Sequence, residues 1–439
     1  MHRRLAQGIK GCVRAVFCLV ALMNPMRVLW AQGSNVLNVQ TPPPVTGVIS
    51  RAQAVTALDS VFTWIERRHP APYANRSRSA VRRARRDLIG SLPDSVDRWW
   101  MGDQLARLVG SLDIDPVLVF NLSRVSHGPR DRPELREDDL HAFIDWVEDR
   151  AIITHGARGL WPGDHVLRIN GVSIDSLIQH TAAAYAGTPS RRLHFAATQV
   201  IGELSRRGLL TTPVRVDLER WNGERVSLVL DSTPVPPRTS QGDPLGSSFE
   251  RIGVGVFAHS LPNRAMVLQI GGLMIDPFGH QAFLRTIASR LTANRAPALI
   301  LDLRYEQYLP LWLVRSVLEA LAPHGAIGRT RIPVCAVMGA QTASGAARLV
   351  TALQRRRLAR TIGEDAGSWR NMPDEDEGLA VPFLAAILVM PARPVRPLPL
   401  TRRTIHPLIH APVWRRDVAI ERDLAIDIAS TCGTLPLGR

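Results

Sequence analysis

Strand-like and helix-like stretches alternate through the last 40% or so of the chain, and this alternation constrains the fold more than any other feature of the sequence. Short apolar runs alternate with stretches in which apolar residues recur every three or four positions. The pattern predicts strands at 266–270, 298–303, 332–338 and 360–362, and helices at 278–293, 311–321 and 343–358. Repetition of this kind favours the α/β class, with parallel strands covered by helices.

A β-rich segment precedes this region. Residues 159–172 place an apolar alternation between two turns, and the second turn is the pair Asn170-Gly171, which favours a tight hairpin. A second hairpin is predicted from strands at 214–218 and 226–230, which flank the turn 221–224. These signals predict a compact β-rich module over 141–235.

The sequence predicts helices in the N-terminal part of the chain. Apolar residues recur at helical spacing over 55–65 and again over 105–112. A charged stretch at 121–140 and a Pro-, Gly- and Ser-rich stretch at 233–248 read as linkers. We therefore expect a multidomain protein with a helical region and linker at 32–140, the β-rich module at 141–235 and an α/β core at 249–439.

The first 31 residues have the layout of a secretory signal peptide. Arg3, Arg4, Lys10 and Arg14 precede the apolar run 15–23, and a small residue, Ala31, follows. The run is far shorter than the roughly 20 apolar residues that span a membrane. We expect cleavage after Ala31, leaving Gln32 at the N-terminus of a secreted or periplasmic protein without a stable membrane span.

The chain is basic, with a formal net charge of +15. Removal of the signal takes away five positive charges and no acid, which leaves +10. Arginine clusters at 82–86 and 355–357 could contact phosphates, but they lack interleaved aromatic residues, so we interpret them as solvated helix faces and expect no nucleic-acid partner. Lys10 is the only lysine in the sequence.

The cysteines and histidines show no metal-ligand spacing, and we expect no cofactor. Cys12 and Cys18 lie in the signal, which leaves Cys335 and Cys432 in a compartment where disulfides persist. Cys335 lies in an apolar strand-like run. A buried thiol is therefore expected there rather than a bridge, although pairing with Cys432 stays open.

Several ordered segments resemble the tail-specific, or C-terminal-processing, serine peptidases. The run 333–347, with Thr342-Ala343-Ser344 after an apolar strand, resembles the nucleophile segment of that family, and Thr361-Ile362-Gly363-Glu364 follows at the family's distance. The strand that ends in Asp302-Leu303-Arg304 resembles the one before the family's oxyanion loop. Segment 61–73 resembles the helical cap, 159–172 a PDZ-like module, and 187–189 the start of the helical segment that follows it.

The resemblance implies a fold and a site. The fold would have a small N-terminal helical cap, a PDZ-like module and an α/β peptidase core of the ClpP/crotonase-like type. Ser344 would be the nucleophile, and the backbone N–H of Gly345 would face the developing oxyanion. Taken alone, a serine at a helix start is equally typical of an N-cap.

Departures from the family are also clear. Where a lysine base would follow the serine by about 25 residues, the sequence has Trp369-Arg370, and an arginine stays protonated. Asp115 stands where another branch has its catalytic histidine. His127 is a candidate replacement base, although an exposed loop histidine is the simpler interpretation. In the oxyanion loop, Tyr308 and Leu309 replace glycines.

Two functions remain open at this point. One is proteolysis of peptide or protein substrates through Ser344. The other is an inactive pseudopeptidase that binds peptides or acts as a scaffold in the cell envelope. The sequence determines neither the substrate nor the partner, and the oligomeric state stays unknown.

Overall fold

The structure is a computed structural model that describes residues 47–69, 71–73, 76–112, 118–121, 142–156, 159–185, 187–211, 213–230, 250–253, 256–270, 280–305, 309, 311–368, 376–384, 386–391 and 404–432. The helices are α1 Arg51–Arg68, α2 Arg78–Ser91, α3 Arg98–Gly110, α4 Ile174–Ala182, α5 Pro189–Thr198, α6 Val200–Arg206, α7 His280–Ala293, α8 Leu311–Leu321, α9 Ser344–Arg356, α10 Arg415–Ala419 and α11 Leu424–Ser430. Among these residues, no helix is both long and apolar enough to span a membrane.

The strands are β1 Val48–Ser50, β2 Ser95–Asp97, β3 Leu118–Asn121, β4 Phe143–Val147, β5 Arg150–His155, β6 His165–Ile169, β7 Val172–Ser173, β8 Val214–Glu219, β9 Arg225–Leu230, β10 Glu250–Gly253, β11 Val256–Ser260, β12 Met266–Ile270, β13 Leu299–Asp302, β14 Val334–Met338, β15 Arg360–Gly363, β16 Asp376–Val381, β17 Ala386–Pro391 and β18 Ile409–His410.

The predicted α/β region forms a seven-stranded sheet in the order β10-β11-β12-β13-β14-β15-β18. The first two pairings are antiparallel, and β12 to β18 pair in parallel. The four predicted strands and three predicted helices are all present within a few residues of the expected bounds. The prediction of a multidomain α/β fold is confirmed. Because β13, β14 and β15 are parallel, their carboxyl ends meet at one edge of the sheet, where ligands usually bind in such folds.

Side chains of the central strand β14 alternate between two apolar cores. Ala336 and Met338 face the core that includes side chains of α7, α8 and α9, whereas Cys335 and Val337 face the core that includes α11. Both faces of the strand are therefore buried, which explains why its sequence is a continuous apolar run rather than an alternating one.

The expectation of a buried free thiol at Cys335 is wrong. Cys335 and Cys432 form a disulfide with their Cα atoms 6.0 Å apart. Both residues are fully buried, in the core between the sheet and α11. The strand-like apolar run around Cys335 correctly predicted burial. Its partner is 97 residues away in sequence, so only the packing of α11 on the sheet reveals the pair.

The N-terminal helices share one core with a hairpin from the C-terminal half of the chain. Helix α1 begins with a capping box, because Ser50 and Gln53 each accept a backbone N–H from the other. Apolar side chains of α1 and α3 pack against Leu384 and Leu388 from the β16–β17 hairpin. Strand β3 pairs with β17 and extends this small sheet. The helical region is thereby packed onto a segment that lies between β15 and β18 of the main sheet in sequence.

The β-rich module forms a sheet in the order β4-β5-β6-β8-β9, with β7 paired to β6. The predicted Asn170-Gly171 turn is present, with both residues at positive φ (48° and 80°), as a two-residue hairpin of this type requires. The second predicted hairpin is β8–β9. Helices α4 to α6 cover the apolar face of the sheet.

Arg415 of α10 joins the main core to the β-rich module. Its guanidinium donates to the carbonyl oxygens of Gly163 (2.7 Å), Glu219 (2.6 Å) and Arg220 (2.8 Å). Gly163 also lies so close to Ala419 that a Cβ at Gly163 would be 2.5 Å from the Ala419 Cβ. The module is therefore held against the core by both polar and steric contacts.

Candidate active site

Ser344 lies on a tight turn between β14 and α9. The hydroxyl of Thr342 donates to the carbonyl oxygen of Leu303 (2.7 Å) and accepts the N–H of Gly339 (2.9 Å). Thr342 is fully buried, so these two bonds fix the turn to the end of β13. The Thr-Ala-Ser sequence thus has a structural reason for its threonine as well as for its serine.

The N-cap interpretation of Ser344 is wrong. Ala343 is the N-cap residue of α9, and no side chain caps this end. Ser344 instead has a left-handed backbone, with φ of 46°. This conformation costs a non-glycine residue on the order of 1–3 kcal/mol and is concentrated at functional sites. A strained serine at a sharp strand-to-helix turn is the geometry that presents a nucleophilic hydroxyl.

The segment after β15 supplies the immediate surroundings of this serine. The backbone N–H of Ser344 donates to the hydroxyl of Ser368 (3.1 Å), and Ser368 is fully buried. Gly367 donates its N–H to the carbonyl oxygen of Thr342 (3.0 Å). A Cβ at Gly367 would lie 2.0 Å from the carbonyl oxygen of Ala340, so only glycine fits there. No pattern in the sequence indicates a role for Ser368.

Leu309 packs directly against Gly345. A Cβ built on Gly345 would lie 1.7 Å from the carbonyl oxygen of Leu309, so glycine is required for this contact. Leu309 itself is buried, with 3% of its surface exposed. The loop that should supply oxyanion donors therefore brings a carbonyl oxygen, which is an acceptor, next to Gly345. The N–H of Gly345 lies in the first turn of α9, where helical N–H groups have no intrahelical partner.

The β-rich module also reaches this site. The N–H of Thr188, the N-cap residue of α5, donates to the carbonyl oxygen of Gly367 (3.1 Å). The aliphatic part of buried Arg191 packs between Gly187 and Gly367. The helical segment predicted to start at 187–189 therefore contacts Gly367, which is next to Ser368 in sequence. Ser368 is the residue whose hydroxyl accepts the N–H of Ser344.

A buried ion network holds the start of the oxyanion loop. Arg304 forms two bonds with Asp302 (3.0 and 2.8 Å) and an ion pair with Asp423 (2.7 Å), the N-cap residue of α11. Burial disfavours the charged guanidinium, but the attraction of Asp302 and Asp423 outweighs it and keeps the pKa of Arg304 well above its usual value. The loop that follows Arg304 is therefore anchored to the C-terminal helix.

A histidine and two acids meet where the module faces the core. His194 of α5 is 2.6 Å from Asp145 of β4, measured from Nδ1 to Oδ1, and is 9% exposed. Burial opposes protonation, yet the charge and hydrogen bond of Asp145, together with the charge of Glu364, raise the pKa of His194. Glu364 belongs to the Ile-Gly-Glu segment of the core, so this attraction acts between the two parts of the molecule.

Folding stability should depend on the protonation of His194. Because its pKa is higher in the folded state than the ordinary value of about 6.5, the charged form stabilises the fold below about pH 6.5, and this stabilisation is lost as pH rises through the folded-state pKa. We expect His194→Gln to flatten the dependence of unfolding free energy on pH over this window, measured by urea denaturation. The exposed His406→Gln is the control. Equal slopes for wild type and His194→Gln would refute the expectation.

Other residues proposed from the sequence fall in parts of the chain that the structure does not describe. Asp115, His127, Tyr308, Trp369 and Arg370 all lie outside the described residues. Within the described ranges, the Ser344 hydroxyl has no hydrogen bond to a histidine or a carboxylate. No cluster of three or more metal-ligating side chains occurs in those ranges either. The structure thus brings together Ser344, Gly345, Leu309 and Ser368.

The sequence matches no family model, and no curated protein matches it. The fold, however, is similar to solved structures. Mature CPAF has a TM-score of 0.59 at 11% identity, over 88% of this chain and 97% of that chain. Mature CPAF in complex with lactacystin has a TM-score of 0.56 at 11% identity, over 84% of this chain and 96% of that chain. The photosystem II D1 C-terminal processing protease is similar over 82% of this chain and 93% of that chain, at 12% identity and with a TM-score of 0.41.

The likenesses to CPAF concern the fold alone at 11% identity, and they extend over most of this chain. At the level of the fold, the chain is similar to the tail-specific, or C-terminal-processing, peptidases. The family resemblance in the sequence predicted this fold, and the prediction is confirmed.

Proposed function

We propose that this protein uses a tail-specific peptidase fold to bind extended peptides or protein tails, and that it hydrolyses them slowly or not at all. The observation that carries the proposal is the surroundings of Ser344. Its backbone contacts the hydroxyl of Ser368, and the carbonyl oxygen of Leu309 lies against Gly345. Neither neighbour is a base that can remove a proton from the serine, and the carbonyl oxygen of Leu309 cannot donate a hydrogen bond to an oxyanion.

The expected loss of rate is large. Removal of one oxyanion donor costs about 10²–10³ in rate, and removal of a general base costs about 10²–10⁴ more. No lysine follows residue 10, so the lysine mechanism is closed to a chain that lacks its signal. Hydrolysis through Ser344 should therefore be at least about 10⁴-fold slower than in a fully equipped enzyme.

Peptide binding is supported by the edges of the module. Its sheet ends in β4 on one side and β9 on the other. An edge strand offers unpaired N–H and C=O groups to which an extended peptide can add as a further strand. The module also contacts the segment around Gly367 through Thr188 and Arg191 of α5.

Slow hydrolysis through Ser344 is the second candidate. The left-handed backbone of Ser344 favours it, since a serine that only begins a helix gains nothing from φ of 46°. A carboxylate or histidine brought to the hydroxyl by a bound peptide would complete such a site.

One experiment separates the two functions. Fluorescein-labelled peptides that represent unfolded protein tails are titrated with wild type, Ser344→Ala and, as a matched serine control, Ser60→Ala on α1. We expect saturable anisotropy changes with the same Kd for all three proteins, and no cleavage products by mass spectrometry. Absence of binding would refute the proposal. Cleavage by wild type and Ser60→Ala, but not by Ser344→Ala, would establish the second candidate instead.

A further inference from the structure

The first two helices carry an unusual concentration of positive charge. Residues 51–91 contain nine arginines but three acids, Asp59, Glu66 and Asp87, which gives this segment a net charge of +6. The segment makes up less than a tenth of the chain, yet it carries +6 of the total net charge of +15. Such a concentration is an electrostatic footprint for an anionic partner.

Two of the three acids are used to pack the helices together. Arg78 pairs with Glu66 (3.0 Å) and Arg85 pairs with Asp59. These pairs run in opposite directions along the two helices, so α2 lies antiparallel to α1. The hydroxyl of Tyr73 also donates to Glu66. Glu66 and Asp59 are thereby occupied within the helical pair, whereas Asp87 is exposed on α2. Arg51 and Arg76 donate to the carbonyl oxygens of Ile89 and Ser111.

Arg82, Arg83 and Arg86 form one exposed face of α2. Val81 is buried, and Ala84 and Leu88 are partly buried against the helical core, so the opposite side of the helix faces solvent. Arg82 and Arg86 are four residues apart and Arg83 is adjacent, which places the three side chains on the same side. Within the described part of the chain, none of the three forms a hydrogen bond or an ion pair. We call these three residues the arginine face.

The chemistry of this face suits phosphate groups. A guanidinium group presents paired N–H donors that match phosphate oxygens, and it stays charged at every working pH. Helix α2 contains no aromatic residue, so it lacks the stacking platforms that single-stranded nucleic acids use. A helical face with three exposed arginines fits the many headgroups of a lipid surface better than one isolated anion.

The second arginine cluster, 355–357, has another explanation. Arg355 and Arg356 occupy the last turn of α9, and Arg357 is its C-cap. Cations at a helix C-terminus are stabilised by the carbonyl oxygens that lack intrahelical partners. This cluster has the same number of arginines and is also exposed, which makes it a matched control for the arginine face.

We propose that the arginine face docks the protein on the phosphate headgroups of an anionic membrane surface. The contact is peripheral and electrostatic, and it is independent of what happens at Ser344. Each arginine near an anionic lipid surface strengthens binding by roughly fivefold. Loss of three arginines should therefore weaken binding by on the order of 100-fold.

Vesicle co-sedimentation tests the proposal on the full chain. Vesicles of phosphatidylglycerol mixed with phosphatidylcholine are compared with pure phosphatidylcholine for wild type, the triple variant Arg82→Gln/Arg83→Gln/Arg86→Gln, and the control Arg355→Gln/Arg356→Gln/Arg357→Gln. We expect wild type and control to bind the anionic vesicles, with binding that weakens steeply between about 50 mM and 200 mM salt, and the arginine-face variant to lose it. Glutamine has nearly the helix propensity of arginine, so the exposed substitutions should leave the fold intact, as thermal unfolding would verify.

Three results would overturn the proposal. The first is absence of wild-type binding to the anionic vesicles. The second is an equal loss in both triple variants, which would indicate net charge rather than a defined face. The third is tighter binding of wild type to duplex or single-stranded DNA than to vesicles at the same salt, which would assign the face to nucleic acid. Inorganic phosphate at the phosphate concentration of the vesicles should not compete, and effective competition would indicate a site for a free anion.

Discussion

Replacing Cys335 and Cys432 together by alanine is expected to lower the free energy of unfolding by about 3–5 kcal/mol. The disulfide joins residues 97 positions apart, and closing a loop of that length removes much of the conformational freedom of the unfolded chain. The bridge also fixes the end of α11 to the central strand of the sheet. Chemical denaturation at neutral pH measures the effect, with a large fall in the denaturation midpoint as the expected result.

Reduction provides the control for this substitution. Alanine also removes two buried sulfur atoms, which costs packing energy by itself. Reduced wild type keeps both atoms but lacks the bridge, so it should lose most of the same stability, while the double variant should not respond to reductant. A double variant as stable as oxidised wild type would contradict a structural disulfide.

Replacing Arg304 by methionine is expected to cost about 3–5 kcal/mol, because removing one partner leaves an uncompensated buried charge. The carboxylate of Asp302 is fully buried, and Arg304 supplies both of its side-chain bonds. Asp423 would also lose its partner, which is the link between the oxyanion loop and α11. The free energy of unfolding again measures the effect.

Arg304→Lys is the matched variant for this prediction. It keeps the positive charge but cannot form the paired bonds to Asp302, so its loss should be clearly smaller than that of the methionine variant. Asp423→Asn, which leaves the Asp302 pair intact, should also cost less. A free energy of unfolding within about 1 kcal/mol of wild type for the methionine variant would contradict the prediction, because exposed ion pairs contribute that little. It would show that the Arg304 network is not desolvated.

The strands from β12 to β15, the helices between them and the hairpins of the β-rich module could be predicted from local patterns alone. Strand β14 is a continuous apolar run because both of its faces are buried, and the Asn170-Gly171 turn is set by two residues that tolerate positive φ. Such signals involve neighbours in sequence, and they gave the correct elements with bounds shifted by a few residues.

Contacts between distant segments could not be predicted in this way. The disulfide joins Cys335 to a helix near the C-terminus, and the β16–β17 hairpin completes the core of the N-terminal helices. No local pattern encodes either pairing. The contacts of Arg415 could not be predicted either, because its three carbonyl acceptors lie in the β-rich module, about half of the chain away.

The roles of Ser344 and Gly345 stay predictions from the family resemblance. The structure places Ser344 at a turn with a left-handed backbone, and it shows that only glycine fits at 345, against Leu309. The role of Ser368 was missed because a lone buried serine carries no sequence signal. Its position 24 residues after Ser344 acquires meaning only when β15 returns beside β14.

We infer that Ser344 is positioned like a nucleophile but is not activated, since within the described residues no histidine or carboxylate is hydrogen-bonded to its hydroxyl. A fluorophosphonate probe tests this inference most directly, since an activated serine attacks the phosphorus and is then labelled covalently. Wild type and Ser344→Ala are incubated with the probe beside a known active serine hydrolase, and adducts are measured by intact mass and mapped by peptide mass spectrometry. We expect no adduct on Ser344 while the reference enzyme is fully labelled. Stoichiometric labelling of Ser344 at a rate near that of the reference enzyme would contradict the inference.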